Sequence, residues 1–162
     1  LMVSPVYPSV ILAGYVMGGG ARGVMVGIIV TLLSLYFTDL QLHSLPVVIV
    51  VTLLSAILFA LGGFINAIFA TKFDDISIIP TFIITPLTYL GGVFYSISLL
   101  PEFWQNVSML NPILYMVNSF RYGILGISDV NISAAIAMLV VFIVLLSSLS
   151  IWLLKRGTGM RS

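Results

Sequence analysis

The chain has 162 residues, of which 60% are hydrophobic and 7% are charged, with a net charge of +1 and no cysteine. Soluble domains usually carry about 25% charged residues, so this composition excludes a soluble globular fold and indicates an integral membrane protein. The small net charge gives no bulk attraction to nucleic acid, and a sequence without cysteine has neither disulfides nor thiol chemistry.

The first apolar region has an irregular start. The chain enters in the middle of an apolar pattern without a visible signal peptide, so we expect its beginning to be missing. Residues 4–9 contain two prolines and predict a turn, with Ser9 as the cap of a helix. Residues 10–21 contain four glycines and predict either the start of a span or a helix at the membrane interface. We place the first span at about residues 13–37.

Three further apolar segments are long enough to cross a hydrocarbon core of about 30 Å at 1.5 Å per residue. They cover about residues 46–70, 76–95 and 133–154. The region between the last two, about residues 98–126, stays apolar but is broken by prolines and glycines, so it predicts short external or re-entrant helices. The expected fold is therefore all-α, with four transmembrane helices.

The broken region contains its own helix boundaries. Gly91 and Gly92 interrupt the third span, and Pro101 suits the first position of a helix, where its missing N–H is not needed. Glu102 then lies in the first turn, facing the positive helix end. The Asn111-Pro112 pair stops this helix and starts another. The residues assigned to this region are Gly91, Gly92, Pro101, Glu102, Phe103, Trp104, Asn111, Pro112 and Arg121.

The distribution of basic residues predicts the orientation. With the C-terminal tail, residues 155–162, in the cytoplasm, four spans place Lys72 there as well and put Arg22 near the inner end of the first span. Five of the six basic residues then lie inside and Arg121 alone lies outside, as the positive-inside rule expects. The acidic residues available to pair with it are Glu102 and Asp129.

Small residues at a spacing of four predict close helix contacts. One set is in the first span and the other in the second: Gly19, Gly23 and Gly27; Gly62 and Asn66. These faces suit either helix packing within one subunit or an interface between subunits. Asn66, a polar residue deep in a span, is expected to hydrogen-bond a neighbouring helix or to line a substrate path.

The motifs of several enzyme classes are missing from the sequence. There is no Walker A loop for phosphate binding, and His43 lies alone in a predicted loop. The predicted spans contain no acidic residue and no histidine, which argues against an intramembrane protease and against proton coupling within this part of the chain. The sequence indicates no catalytic, cofactor-binding or metal-binding residue.

Four motifs carry a family resemblance. They are PLTYLGGVFY at 86–95, LPEFW at 100–104, LNPILY at 110–115 and RYG at 121–123. In this order, before a final span, the chain resembles the permease subunit of ABC-2 type transporters over its whole length. The resemblance implies six spans in the complete protein, of which two precede this sequence. It also implies short external helices that return part-way into the membrane and cap the pathway as an outer gate.

The resemblance also implies partners. Permeases of this family form homodimers in the bacterial inner membrane and bind two ABC-type ATPase subunits, which hold the ATP and Mg²⁺ and drive export. A coupling helix that docks on the ATPase corresponds to residues 4–10, and residues 71–75 form another cytoplasmic loop. The candidate coupling residues are Ser4, Pro5, Tyr7, Pro8, Lys72, Asp74 and Asp75. The charged residues among them are equally compatible with ordinary solvated turns.

The expected function is thus the membrane permease of an ATP-driven exporter, with ATP hydrolysed on a separate subunit. A membrane scaffold or assembly protein without transport activity is the alternative, and a membrane enzyme ranks third. Membrane lipid is an expected partner, whereas nucleic acid is not. The substrate stays open among drugs, lipids and lipid-linked glycans, because no charged pocket or aromatic track can be placed from the sequence.

Overall fold

A computed structural model describes residues 7–37, 42–70 and 72–156. Those residues form six α-helices joined by turns. Their bounds are α1 Pro8–Phe37, α2 Leu45–Phe69, α3 Thr85–Leu90, α4 Glu102–Ser108, α5 Pro112–Leu125 and α6 Ile132–Arg156. Short 3₁₀ turns at Phe73–Ser77 and Ile97–Leu99, and a π-helical segment at Pro80–Ile84, complete the order.

Three helices have the length and apolar composition needed to cross a membrane: α1, α2 and α6. The first of them runs without a break from Pro8 to Phe37, so residues 10–21 belong to the long helix and do not form a separate interfacial one. The helix starts at Pro8, before the predicted cap at Ser9, because a proline at the first helical position lacks only an N–H that would have no partner there.

Arg22 does not lie near one end of this helix. It lies close to the middle of the 30-residue α1, about 21 Å from the start at 1.5 Å per residue. The helix begins before residue 13, the predicted start of the span. The place of Arg22 near the inner end of the span stays a prediction.

The third predicted span, at about residues 76–95, is shorter than expected. The apolar helical stretch runs over Asp75–Leu90, about 24 Å at 1.5 Å per residue, and Gly91 ends it. It is also irregular, since the Thr85 N–H bonds the carbonyl of Pro80 in a π-type turn. Pro86 has no N–H to donate, which favours such a local adjustment. The fold thus has three long apolar helices and one shorter one.

Helix α2 is the centre of the bundle and contacts α1, α5 and α6. One core cluster joins α2 and α6 to the start of α5 and contains Leu58, Tyr115, Met116, Ala135 and Leu139. A second cluster joins α1 to α2 through Leu12, Leu61 and Phe64. Many large apolar side chains on the outer faces of α1 and α6 are exposed. Such faces suit lipid contact, since large exposed apolar surfaces are rare on soluble proteins.

Candidate functional site

Helix α5 occupies only part of the height of the bundle. Its start packs beside Leu58, in the middle of α2, about 20 Å along that helix from its first residue. Its end reaches the first turn of α2, where the Ser44 N–H donates to the Gly123 carbonyl oxygen at 2.9 Å. Thus α5 runs from the interior of the bundle to the end where α2 and α6 begin, which is the predicted external end.

The approach of α5 to the start of α2 depends on a glycine. A Cβ atom at Gly123 would lie 2.5 Å from Val48 Cγ2, closer than real Cβ contacts allow. At the adjacent turn, the rings of His43 and Tyr122 meet edge to face with centroids 5.3 Å apart. The end of α5 is therefore fitted closely against the start of α2.

The start of α5 is anchored by Asn111, which is 2% exposed. Its side-chain amide donates to the carbonyl oxygen of Leu87 in α3, and its Oδ1 accepts from the Ile113 N–H at 3.0 Å. The same side chain therefore caps α5 and attaches it to α3. Pro112 occupies the first helical position, as the sequence predicted.

Two glycines shape the turn that follows α3. Gly91 caps the helix, and a Cβ there would lie 2.7 Å from Ile113 Cγ2. Gly92 has a φ of 73°, a left-handed conformation that only glycine adopts at low cost. The predicted break at this pair is confirmed, and it lets the chain turn beside the start of α5.

Arg121 links the turn after α3 to the turn before α6. Its guanidinium donates to the carbonyl oxygen of Gly92 at 2.8 Å and to Asp129 Oδ2 at 3.2 Å. The Arg121 side chain remains 23% exposed. The Ser96 hydroxyl donates to the same carboxylate oxygen at 2.9 Å. Of the two predicted acidic partners, the structure selects Asp129 rather than Glu102.

Asn118 is a second buried link, which our reading of the sequence missed. Its Oδ1 accepts from the Asp129 N–H at 2.9 Å, and its amide donates to Leu114 O at 3.0 Å. The available signal was one amide side chain within the otherwise apolar first turns of α5. Asp129 thus receives a backbone contact from Asn118 and a side-chain contact from Arg121.

The short helix α4 connects the turn after α3 to α5. It begins at Glu102, and Pro101 is its N-cap. The helix therefore starts one residue after the predicted first position. Phe103 and Trp104 are exposed and meet edge to face with centroids 5.4 Å apart. Because these rings cover no core, they present an aromatic surface next to the hydrogen-bonded region.

The inner loop between α2 and α3 has its own contacts. The Lys72 N–H donates to Asp75 Oδ2 at 2.9 Å, which caps the 3₁₀ turn. Asn66 is buried and its amide donates to the Ile76 carbonyl oxygen at 2.9 Å, so it joins α2 to the stretch leading into α3. This is one of its two predicted roles.

The other candidate coupling residues are less defined. Ser4 and Pro5 lie outside the described residues. Tyr7 is 77% exposed, and Pro8 opens α1. Asp74 belongs to the 3₁₀ turn by its backbone. Tyr7, Pro8 and Asp74 lie at the end of the bundle where α2 ends and α1 begins.

The glycine series of α1 packs against α2 of the same chain. Cβ atoms built at Gly19 and Gly23 would lie 3.1 Å and 3.4 Å from the Cβ atoms of Ala60 and Ala56, and one at Gly27 would lie 3.8 Å from Thr52 Cγ2. This is the packing expected within one subunit. A Cβ atom built at Gly62, on α2, would meet no atom within 4 Å.

Comparison with known proteins identifies the family of the chain. The sequence profile of the ABC-2 type transporter family matches residues 1–125. The chain is 56% identical over its full length to the inner membrane transport permease YadH of Escherichia coli K12, and covers 63% of that protein. The same values hold for the Shigella flexneri protein of that name.

More distant relatives also match. The nodulation protein J of Rhizobium leguminosarum bv. viciae is 26% identical over 134 residues, which are 83% of this chain and 50% of that protein. No solved structure matches the chain. The chain spans less than two thirds of the length of its permease relatives. With a family profile over most of its residues and a relative at 56% identity, the chain belongs to the ABC-2 type transporter membrane family, as an inner-membrane protein with several apolar helices.

Proposed function

We propose that the chain is the larger part of the permease subunit of an ABC-2 type exporter, which moves its substrate outward across the inner membrane. ATP and Mg²⁺ bind to a separate ATPase subunit in this proposal. The observation that carries it is the position of α5, whose start is buried beside Leu58 while its end meets the first turn of α2. The family membership supports the same function.

In this proposal α4 and α5 are re-entrant helices that cap the pathway as an outer gate. A backbone that enters the hydrocarbon region without crossing it must find hydrogen bonds within the protein. Asn111, Arg121 and Asn118 supply such bonds at the two ends of α5. Helices held in this way form a plug at the external end and leave the internal end open to a partner.

Orientation follows from the charges that remain in loops and at helix ends. Lys155 and Arg156 lie in the last turn of α6, and Lys72 lies at the same end of the bundle in the loop after α2. We place this end and the C-terminus in the cytoplasm, in accordance with the positive-inside rule. Arg121 then lies at the external end, where Asp129 neutralises it.

A second copy of the permease would complete the pathway. The third helical stretch and the turn after it expose large aromatic side chains, with Phe82 at 71% and Phe94 at 70% exposed. Among the α-helices of the described residues, α3 makes its principal contacts with α4 and α5. Its outer face is therefore available. We propose that this face contributes to the homodimer.

The ATPase would dock on the inner loop and the start of α1. Lys72 is exposed and its backbone N–H, not its side chain, makes the capping bond to Asp75. Substitution of its side chain therefore keeps this backbone donor. Lys72→Glu is a probe of docking for that reason.

The test is co-purification of the full-length permease with an ABC-type ATPase encoded beside it. We expect Lys72→Glu to reduce the amount of bound ATPase several-fold, while the matched charge reversal Lys155→Glu, in the last turn of α6, leaves it unchanged. A permease that never binds an ATPase, or whose complex ignores every change in the inner loop, contradicts the proposal. Reconstituted vesicles then separate an exporter from a scaffold, because only an exporter moves substrate when ATP is added.

A further inference from the structure

The end of α6 joins a long apolar segment to two cations. Residues 132–154 carry no charged side chain, and Lys155 and Arg156 follow them directly. The helix is long and apolar enough to cross a membrane. Because a charged side chain is costly in the hydrocarbon core, this change of composition marks where α6 leaves the core and enters a layer of lipid head groups.

Trp152 and Arg156 form a stacked pair in the last turns of α6. The guanidinium carbon of Arg156 lies 4.0 Å from the centroid of the Trp152 ring system. Residues four apart lie on the same face of a helix, and the negative face of an indole ring attracts a guanidinium placed over it. The stacking therefore holds the Arg156 cation at a defined place beside the helix.

The stacked pair lies on the outer side of α6. Trp152 is 47% exposed, and Arg156 is exposed as well. Leu153, which follows Trp152 in the chain, is 4% exposed and faces the bundle. Within the described residues the pair is therefore a surface feature and does not belong to the core of the bundle.

The stacked geometry leaves the donors of Arg156 in a useful position. The N–H groups of a guanidinium lie in its plane, so stacking of its face on a ring keeps them for an acceptor at its edge. Their spacing matches two oxygen atoms of a phosphate group. The indole ring itself suits the boundary between head groups and acyl chains, where tryptophan is enriched. The pair thus fits the phosphate and the upper acyl chain of one lipid.

We propose that Trp152 and Arg156 bind the head group of an anionic phospholipid at the membrane surface where α6 ends. Basic side chains near a membrane surface attract anionic lipids. A phosphatidylcholine molecule also has a phosphate, but its choline group carries a positive charge that opposes the attraction. This inference goes beyond the proposed export function and does not depend on it.

Fluorescence quenching by brominated lipids tests the site. The full-length permease is placed in nanodiscs of phosphatidylcholine and phosphatidylglycerol, with bromine on the acyl chains of one lipid at a time. The difference between this protein and its Trp152→Phe variant gives the quenching at Trp152 alone. We expect about a fivefold preference for phosphatidylglycerol beside that ring, the size expected for one basic residue near the surface.

Arg156→Gln removes the stacked cation. Because Arg156 is exposed in the last turn of α6, folding should be preserved, and we expect the two brominated lipids to quench Trp152 equally. The matched control is Lys155→Gln, which removes the same charge from the preceding residue. It should keep most of the preference, because the stacked cation is Arg156. Equal losses in the two variants would overturn the inference, since they would show that the total surface charge decides.

Trp104 gives a second comparison within the same protein. It is 45% exposed and lies in α4, the short helix that begins at the acidic residue Glu102. The same measurement with Trp104→Phe should show no preference for phosphatidylglycerol there. Equal quenching of Trp152 by both lipids would overturn the inference. So would weak quenching by both, because it would show that protein covers the pair. Since neither ATPase nor substrate is present, these outcomes leave the export proposal to its own test.

Discussion

The α1–α2 pair and the region of α4 and α5 are held together in different ways. The two long helices meet through small residues, with Gly19 and Gly23 against Ala60 and Ala56. The short helices depend on specific hydrogen bonds, of which those of Asn111, Asn118 and Arg121 are the principal ones. The first contact depends on volume, and the second depends on the identity of a few polar groups.

The difference follows from how much backbone each region leaves unpaired. A long regular helix satisfies its own N–H and carbonyl groups except at its ends, so α1 and α2 need only shape to associate. Short helices have mostly end residues, and buried backbone groups there require partners. The region of α4 and α5 thus gains a fixed geometry from bonds that single substitutions can remove.

The largest effect is expected at Asn111. Substitution by alanine removes the bond to Leu87 O and the cap on the Ile113 N–H at a position that is 2% exposed. Loss of a helix cap together with an unsatisfied buried carbonyl should cost about 2–4 kcal/mol of unfolding free energy. Reversible unfolding of the full-length protein in mixed detergent micelles measures it.

Asn106→Ala is the matched control for this experiment. Asn106 is exposed and lies in α4, one helix earlier, so its loss should change the unfolding free energy little. If the two substitutions cost the same, the region is not organised by the Asn111 bonds and the comparison between the two regions fails.

A smaller effect is expected in the α1–α2 pair. Gly19→Val adds atoms where a Cβ alone would already lie 3.1 Å from the Ala60 Cβ, so the helices must separate, at a cost of about 1–3 kcal/mol. Gly18→Val is the adjacent control, because a Cβ there meets nothing within 4 Å. A cost at Gly18 equal to that at Gly19 would show that helix propensity, and not packing, decides the result.

The sequence predicted the long helices and several helix ends of the fold. Apolar length located α2 and α6, and proline and glycine located the breaks at Gly91, Pro101 and Pro112. These predictions succeed because they depend on local properties. The properties are the length of an apolar segment, the N–H that proline lacks and the backbone conformation that glycine permits.

Contacts between distant residues were harder to predict. The choice of Asp129 over Glu102 as the partner of Arg121 depends on how the turn before α6 folds back on α5. The place of Arg22 along α1 depends on where that helix starts, which is at Pro8. The π-helical segment at Pro80–Ile84 was not predicted either. Each needs a tertiary arrangement that no single motif contains.

The smallest effect is expected for the Arg121–Asp129 pair, and it sharpens the comparison further. Both side chains are partly exposed, at 23% and 29%, so solvent screens the pair and its coupling energy should be about 0.5–1 kcal/mol. A double-mutant cycle with Arg121→Gln and Asp129→Asn isolates that coupling from the separate bonds each residue makes.

The single Arg121→Gln substitution should cost more than the coupling alone, because it also removes the bond to the Gly92 carbonyl oxygen. If the coupling energy is near zero while Arg121→Gln still lowers the free energy of unfolding by its full amount, Arg121 acts through its contact with the Gly92 carbonyl oxygen. A coupling well above this range would instead make the ion pair the main link of the region. Raising the salt concentration separates the two, since the ion pair weakens with ionic strength whereas the contribution of the turn geometry around Gly92 does not.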